Sequence, residues 1–75
     1  MNPGVILNEM LTSHKMTSTD LAIAIGVPPN RITEIVRGKR SITADTAIRL
    51  GRYFSTTPEY WLLLQIGYDL ALARQ

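Results

Sequence analysis

Three prolines punctuate this chain at places that fix where helices begin. Pro3 follows Asn2, Pro58 follows Thr57, and Pro29 follows a second proline, Pro28. Proline lacks an N–H and holds a helix-like φ, so it suits a first helical turn and is excluded from a helix interior. Asn2 and Thr57 carry side-chain oxygens that cap the free N–H groups of such a turn. The chain is thereby divided into short helices, and no stretch reads as a strand.

Apolar spacing supplies the rest of the pattern. Ile6, Leu7, Met10 and Leu11 recur at three and four residues and predict a helix over 3–14. Thr17 followed by Asp20 resembles a capping box, and Leu21, Ala22 and Ile25 make the stripe of a second helix over 18–25. Gly26 suits a left-handed C-terminal position, and Val27 is the one large apolar residue of the turn, expected to plug the core. Ile32, Ile35 and Val36 form the inner stripe of a third helix opened by Pro29 and ended by Gly38. Thr43 caps a fourth, with Ala47, Leu50 and Phe54 on one face. A fifth runs over 58–73. The expected fold class is all-α, a single five-helix domain over residues 1–75, in which helices 2 and 3 make a helix–turn–helix.

The fifth helix is apolar nearly all round. Trp61, Leu64, Tyr68 and Leu72 line one face, while Leu62, Leu63, Ile66 and Leu70 line much of the rest. Such a helix must be covered on more than one side, and a 75-residue domain can cover only one. A second copy of the chain around a two-fold axis is the simplest cover. The expected dimer interface is Trp61, Leu62, Leu63, Ile66 and Leu70.

Composition excludes more than it indicates. With no cysteine and one histidine, His14, neither a disulfide framework nor a metal site is expected. The acids form no close pair for general acid–base work. "GVPPNRIT" lacks the ending of a phosphate-binding loop. No catalytic residue and no cofactor are therefore expected. Residues 1–13 carry no basic leader pattern, and "YWLLLQIGYDLALA" is short for a membrane span and broken by Gln65 and Asp69.

The net charge is only +2, but it is lopsided. Residues 31–52 hold six cations (Arg31, Arg37, Lys39, Arg40, Arg49, Arg52) against Glu34 and Asp45, while the remainder is net acidic. A basic segment beginning inside a helix–turn–helix suits a nucleic-acid surface. The outer side of the third helix carries Asn30, Arg31, Thr33, Glu34 and Arg37. Asn30 can pair bidentately with adenine and Arg31 with guanine, and Thr33 can reach a phosphate or a thymine methyl. Arg37, Lys39, Arg40 and Ser41 are placed for backbone phosphates. Pro28 and Pro29 have no N–H to give a phosphate and can pack on a sugar or a thymine methyl.

"TSTDLAIAIGVPPNRITEIVRGKRSITADTAIRL" resembles the lambda-repressor-like (XRE/Cro-type) helix–turn–helix domain. "PGVIL" (3–7), "GKRSITADTAIRL" (38–50) and "TPEYWLLLQIGYDL" (57–70) narrow the resemblance to HigA-type antitoxins, over nearly the whole chain. The resemblance implies a dimer that binds operator DNA, represses its own operon and neutralises a HigB-type toxin, an mRNA endonuclease. It implies a cytoplasmic, nucleoid-associated protein. It places Pro28, Pro29, Asn30, Arg31 and Thr33 where the family reads DNA. Thr17, Ser18, Arg37, Lys39, Arg40 and Ser41 stand where the family touches phosphates. Two alternatives stay open: a solitary phage-type or host repressor without a toxin, and a toxin-binding module that has lost DNA binding.

Overall fold

A computed structural model describes all 75 residues. It contains five helices and no strand: α1 (Pro3–Ser13), α2 (Ser18–Ile25), α3 (Pro29–Val36), α4 (Ala44–Phe54) and α5 (Pro58–Ala73). The starts of α1, α3 and α5 fall on the three prolines. Asn2 Oδ1 accepts from the Gly4 N–H at 2.8 Å, and Thr57 Oγ1 accepts from the Tyr60 N–H at 3.2 Å. At α4 Thr43 is the capping residue by backbone geometry, but its hydroxyl makes no cap hydrogen bond. It lies instead 3.5 Å from the Thr46 hydroxyl. The first helix ends one residue before the expected boundary, where His14 takes the cap position. His14 Nδ1 lies 2.9 Å from the Met10 carbonyl, and its ring stands edge-on to Phe54 at 5.1 Å.

The box at the start of α2 is complete. Asp20 N–H donates to Thr17 Oγ1 at 3.0 Å, and Thr17 N–H donates to Asp20 Oδ2 at 2.9 Å. These bonds, the backbone one foremost, hold the Asp20 carboxyl below the usual aspartate range. A carboxyl whose value is depressed by folding stabilises the fold above the ordinary aspartate range. That contribution is lost as pH falls through the depressed value. Thermal melts from pH 7 to pH 3 should therefore show a shallower acid decline for Asp20→Asn than for the parent chain. Parallel declines would mean that the box does not contribute.

One core draws on every helix: Leu7 and Leu11 of α1, Leu21 and Ala22 of α2, Ile32 and Ile35 of α3, Ala47 and Leu50 of α4, and Trp61 of α5. Val27 in the turn and Ile42 before α4 plug its edges. Gly26 closes α2 at φ 74°, a conformation that disfavours any side chain, and the Val27 N–H turns back to the Ala22 carbonyl at 3.0 Å. That closure swings the chain through Gly26, Val27 and Pro28 into α3.

In α5 the buried positions are Trp61 and Gln65. Leu62, Leu64 and Tyr68 are half-buried, and Leu72, on the same face as Trp61 by spacing, is 47 % exposed. The reason is length. Sixteen residues at 1.5 Å per residue make a rod longer than the core it lies on, so everything after Tyr68 overhangs, and residues 69–75 are all exposed. Trp61 has no exposed surface at all, and its indole N–H donates to Thr56 Oγ1 at 2.9 Å. It is a core anchor, which removes it from the expected dimer interface. Leu62 is partly buried against the core, so only an edge of it is open to a partner. Leu63, Ile66 and Leu70 remain, exposed by 66 %, 53 % and 45 %.

Candidate nucleic-acid interface

Helix α3 separates its residues cleanly. Ile32 and Ile35 are buried, and Asn30, Thr33, Glu34 and Arg37 fall on the opposite side at i, i+3, i+4 and i+7. Pro28, Pro29 and Asn30 are exposed at its N-terminal end. Thr33 is half-buried, and its hydroxyl donates back to the Pro29 carbonyl at 3.2 Å. That leaves its lone pairs and its methyl for an outside partner.

Arg31 lies at the margin of this face rather than at its centre. Its Nη1 donates to Asp45 Oδ2 at 2.7 Å, and the side chain is 29 % exposed. The picture of a free Arg31 is thus corrected: a contact to guanine must use the N–H groups that Asp45 does not hold. Asp45 also receives Arg49 Nε, at 3.3 and 3.1 Å, and Arg49 Nη1 reaches across to the Ile25 carbonyl at 2.7 Å. One carboxylate at the start of α4 thereby connects to α3 directly and to the last turn of α2 through Arg49. Partial desolvation alone would raise its pKa. The hydrogen bond from Arg31 and the charge of Arg49 overcome this and hold Asp45 below the usual aspartate range. The Arg49 guanidinium also meets the carbonyl end of α2, where the helix dipole favours a cation.

A second ion pair secures the other end of α3. Arg40 Nε and Nη2 both approach Glu34 Oε1, at 2.8 and 2.6 Å. The intervening residues fold back through Gly38, at φ 75°, and the Lys39 N–H donates to the Glu34 carbonyl at 2.8 Å. Surface pairs of this kind add little to stability. Their consequence is geometric: α3 is tied at both ends.

Of the six cations between residues 31 and 52, Arg31, Arg40 and Arg49 are in ion pairs. Arg37 and Lys39 are exposed and outside every ion pair, in the segment that leaves α3. Ser41 is exposed beside them. Next to Ser41, Ile42 turns inward, and its N–H donates to Gln65 Oε1 at 2.8 Å, while Gln65 Nε2 donates to Asp69 Oδ1 at 2.9 Å. Gln65 thus joins the basic loop to α5. Thr17 and Ser18 sit at the start of α2, where Thr17 uses its hydroxyl as the cap and Ser18 is half-buried.

Four residues that shape this surface are absent from the sequence-based set of contacts: Glu34, Asp45, Arg49 and Gln65. Asp45 and Arg49 stand four apart on α4, a spacing that signals an ion pair. Gln65 looks like a mere interruption in an apolar helix, since its partner Ile42 is 23 residues away.

A short helix packed behind an exposed polar one, with a basic loop following, is the arrangement of a helix–turn–helix domain. A family profile for helix-turn-helix proteins matches residues 7–61. The chain is 49 % identical over 76 residues to virulence-associated protein I of Dichelobacter nodosus, covering all of this chain and 70 % of that protein. Among solved structures, a HigA-family addiction module antidote protein from Coxiella burnetii superposes with a TM-score of 0.94 at 51 % identity, over 97 % of this chain and 80 % of the other. Pseudomonas aeruginosa antitoxin HigA, solved with higBA promoter, superposes at 0.95 with 44 % identity over the same shares. The chain belongs to the lambda-repressor-like helix–turn–helix family, in its HigA-type antitoxin branch. Its other relatives include an HTH-type transcriptional regulator of Haemophilus influenzae and antitoxin HigA-1 of Vibrio cholerae. No helix is long and apolar enough to cross a membrane.

Proposed function

We propose that this chain is a dimeric operator-binding protein that represses its own promoter and neutralises a HigB-type toxin. The observation that carries the DNA reading is the pose of α3. Asn30, Thr33 and Arg37 face outward, Asp45 and Arg40 tie the helix at its two ends, and Arg37 and Lys39 follow with no ion pair to hold them back. Pressed into a major groove, Asn30 offers adenine its amide, and Arg31 offers guanine the donors left free by Asp45. Arg37, Lys39 and Ser41 meet phosphates, joined by Thr17 and Ser18 at the start of α2 and by the N–H groups of Arg40 that its pair with Glu34 leaves free. Pro28 and Pro29 present apolar rings to a sugar or a thymine methyl.

The dimer is built on Leu63, Ile66 and Leu70 of α5. Its two recognition helices enter successive major grooves, about 34 Å apart, so the operator is a palindrome with that spacing. The toxin reading is supported by the HigA family membership and by the higBA promoter bound to the Pseudomonas relative.

Lys39→Ala tests the phosphate assignment. Lys39 touches no acid, so its loss should weaken binding to all sequences alike and lower the slope of log affinity against log salt by about one per protomer. Arg40→Ala should change the slope less, because Glu34 already occupies its charge. An unchanged slope in Lys39→Ala would remove the basic loop from the interface.

A further inference from the structure

Glu34 is out of place on a surface meant for DNA. It lies on the outward side of α3 beside Asn30, Thr33 and Arg37, and docking would push its carboxylate between two rows of phosphates. We propose that Glu34 is a specificity-determining residue of the recognition helix, and that it selects an exocyclic amino group, cytosine N4 or adenine N6, at one position of each half-site. The inference rests on the operator reading above.

Both contacts from Arg40 fall on one oxygen, Oε1. The other, Oε2, has no partner within the protein and is not a buried orphan, so water satisfies it in the free chain. In a groove that water is displaced. A carboxylate oxygen accepts hydrogen bonds and cannot donate, so Oε2 must find a donor in the DNA or carry the cost of an unpaired buried acceptor.

The major-groove edges decide what it can find. Cytosine presents a single amino donor, and adenine presents an amino donor beside an acceptor. Guanine and the oxygen of thymine present acceptors only. Opposite an acceptor, two lone pairs and a negative charge face each other. Glu34 therefore works largely by exclusion, rejecting guanine and thymine at the position it faces.

Arg40 makes the device tolerable. By sharing Oε1 it offsets the charge against the phosphates and fixes the carboxylate, so that Oε2 is the atom offered. A mere strap between α3 and the basic loop would leave base preference unchanged when Glu34 is replaced.

The test is a full single-base substitution series of the promoter operator, titrated with the parent protein, Glu34→Gln and Glu34→Ala. Glutamine keeps the size and an acceptor for Arg40 but adds a donor, so guanine and thymine cease to be excluded. The parent should favour cytosine or adenine at one symmetric pair of positions by about tenfold or more, and the series tells the two bases apart. Both variants should flatten that preference and leave the other positions unchanged. Arg40→Ala should lower affinity and weaken the preference without abolishing it, because the carboxylate still rejects guanine and thymine but is no longer held in place. If both Glu34 variants instead bind every sequence more tightly by the same factor, Glu34 only repels phosphate and the proposal fails. A parent protein that does not distinguish its promoter from scrambled DNA would overturn the operator reading itself, and the Glu34 role with it.

Discussion

Ile66→Asp should leave a folded monomer that no longer holds its operator. Ile66 is 53 % exposed on α5, with Leu63 and Leu70 three before and four after it. They lie on one stripe, away from the buried Trp61 and Gln65. None of the three belongs to the core, so a carboxylate at position 66 does not disturb the fold of one chain. In a two-fold dimer it appears twice in one apolar interface, and an unpaired buried charge is strongly destabilising. The loss for DNA is larger than the loss of one contact. A dimer presents its second recognition helix at a high effective concentration, an advantage of about a hundredfold or more that a monomer forfeits. Light scattering after size exclusion should show half the parent's mass with an unchanged helical spectrum, and operator affinity should fall by at least about that factor. A variant that remains dimeric would move the interface elsewhere.

The largest effect on folding is expected from Gly4→Ala. Gly4 opens α1 against the C-terminal end of α3. A β-carbon there would collide with the Ile35 carbonyl oxygen and lie 2.9 Å from that of Val36. Both obstacles are backbone, so no rotamer change relieves them. Either α1 lifts off or the last turn of the recognition helix shifts. Overpacking of this kind costs about 1–3 kcal/mol and occasionally more, and two backbone clashes put Gly4 at the upper end. A 75-residue domain has only about 4–11 kcal/mol of stability to lose. Urea unfolding should show a large drop in midpoint. Gly67→Ala is the control, because a methyl group there meets nothing within 4 Å, and on a helix it should be neutral or mildly stabilising. Equal midpoints for the two variants would mean that α1 does not press on α3 as the structure has it.

The boundaries of the helices are legible in the sequence because their causes are local. Asn2, Thr17 and Thr57 cap the turns that follow them, and Gly26 closes the turn that precedes it, all within four residues. Thr43 shows the limit of this reasoning: its position is right, but its hydroxyl is diverted to Thr46. Ser55 ends α4 at φ 59° with no glycine to announce it. The inner and outer sides of α3 follow from spacing alone. Which outer cations are free does not, because Asp45 reaches Arg31 across 14 positions and so decides how far Arg31 can extend. The same holds for Trp61. Its helix is apolar all round, and only the packing of α5 against α4 and α1 shows that Trp61 points inward and Ile66 outward. Gly4 belongs to a recognisable sequence block, but the carbonyls it must avoid are 31 and 32 residues away.

The most direct measurement is a fluorescence-anisotropy titration of the purified protein against its own promoter fragment and a scrambled fragment of equal length, at two salt concentrations. Tight binding to the promoter, weak binding to the scrambled duplex and a steep loss with salt are the expected result. Equal, weak affinity for both would contradict the assignment of α3 as a recognition helix.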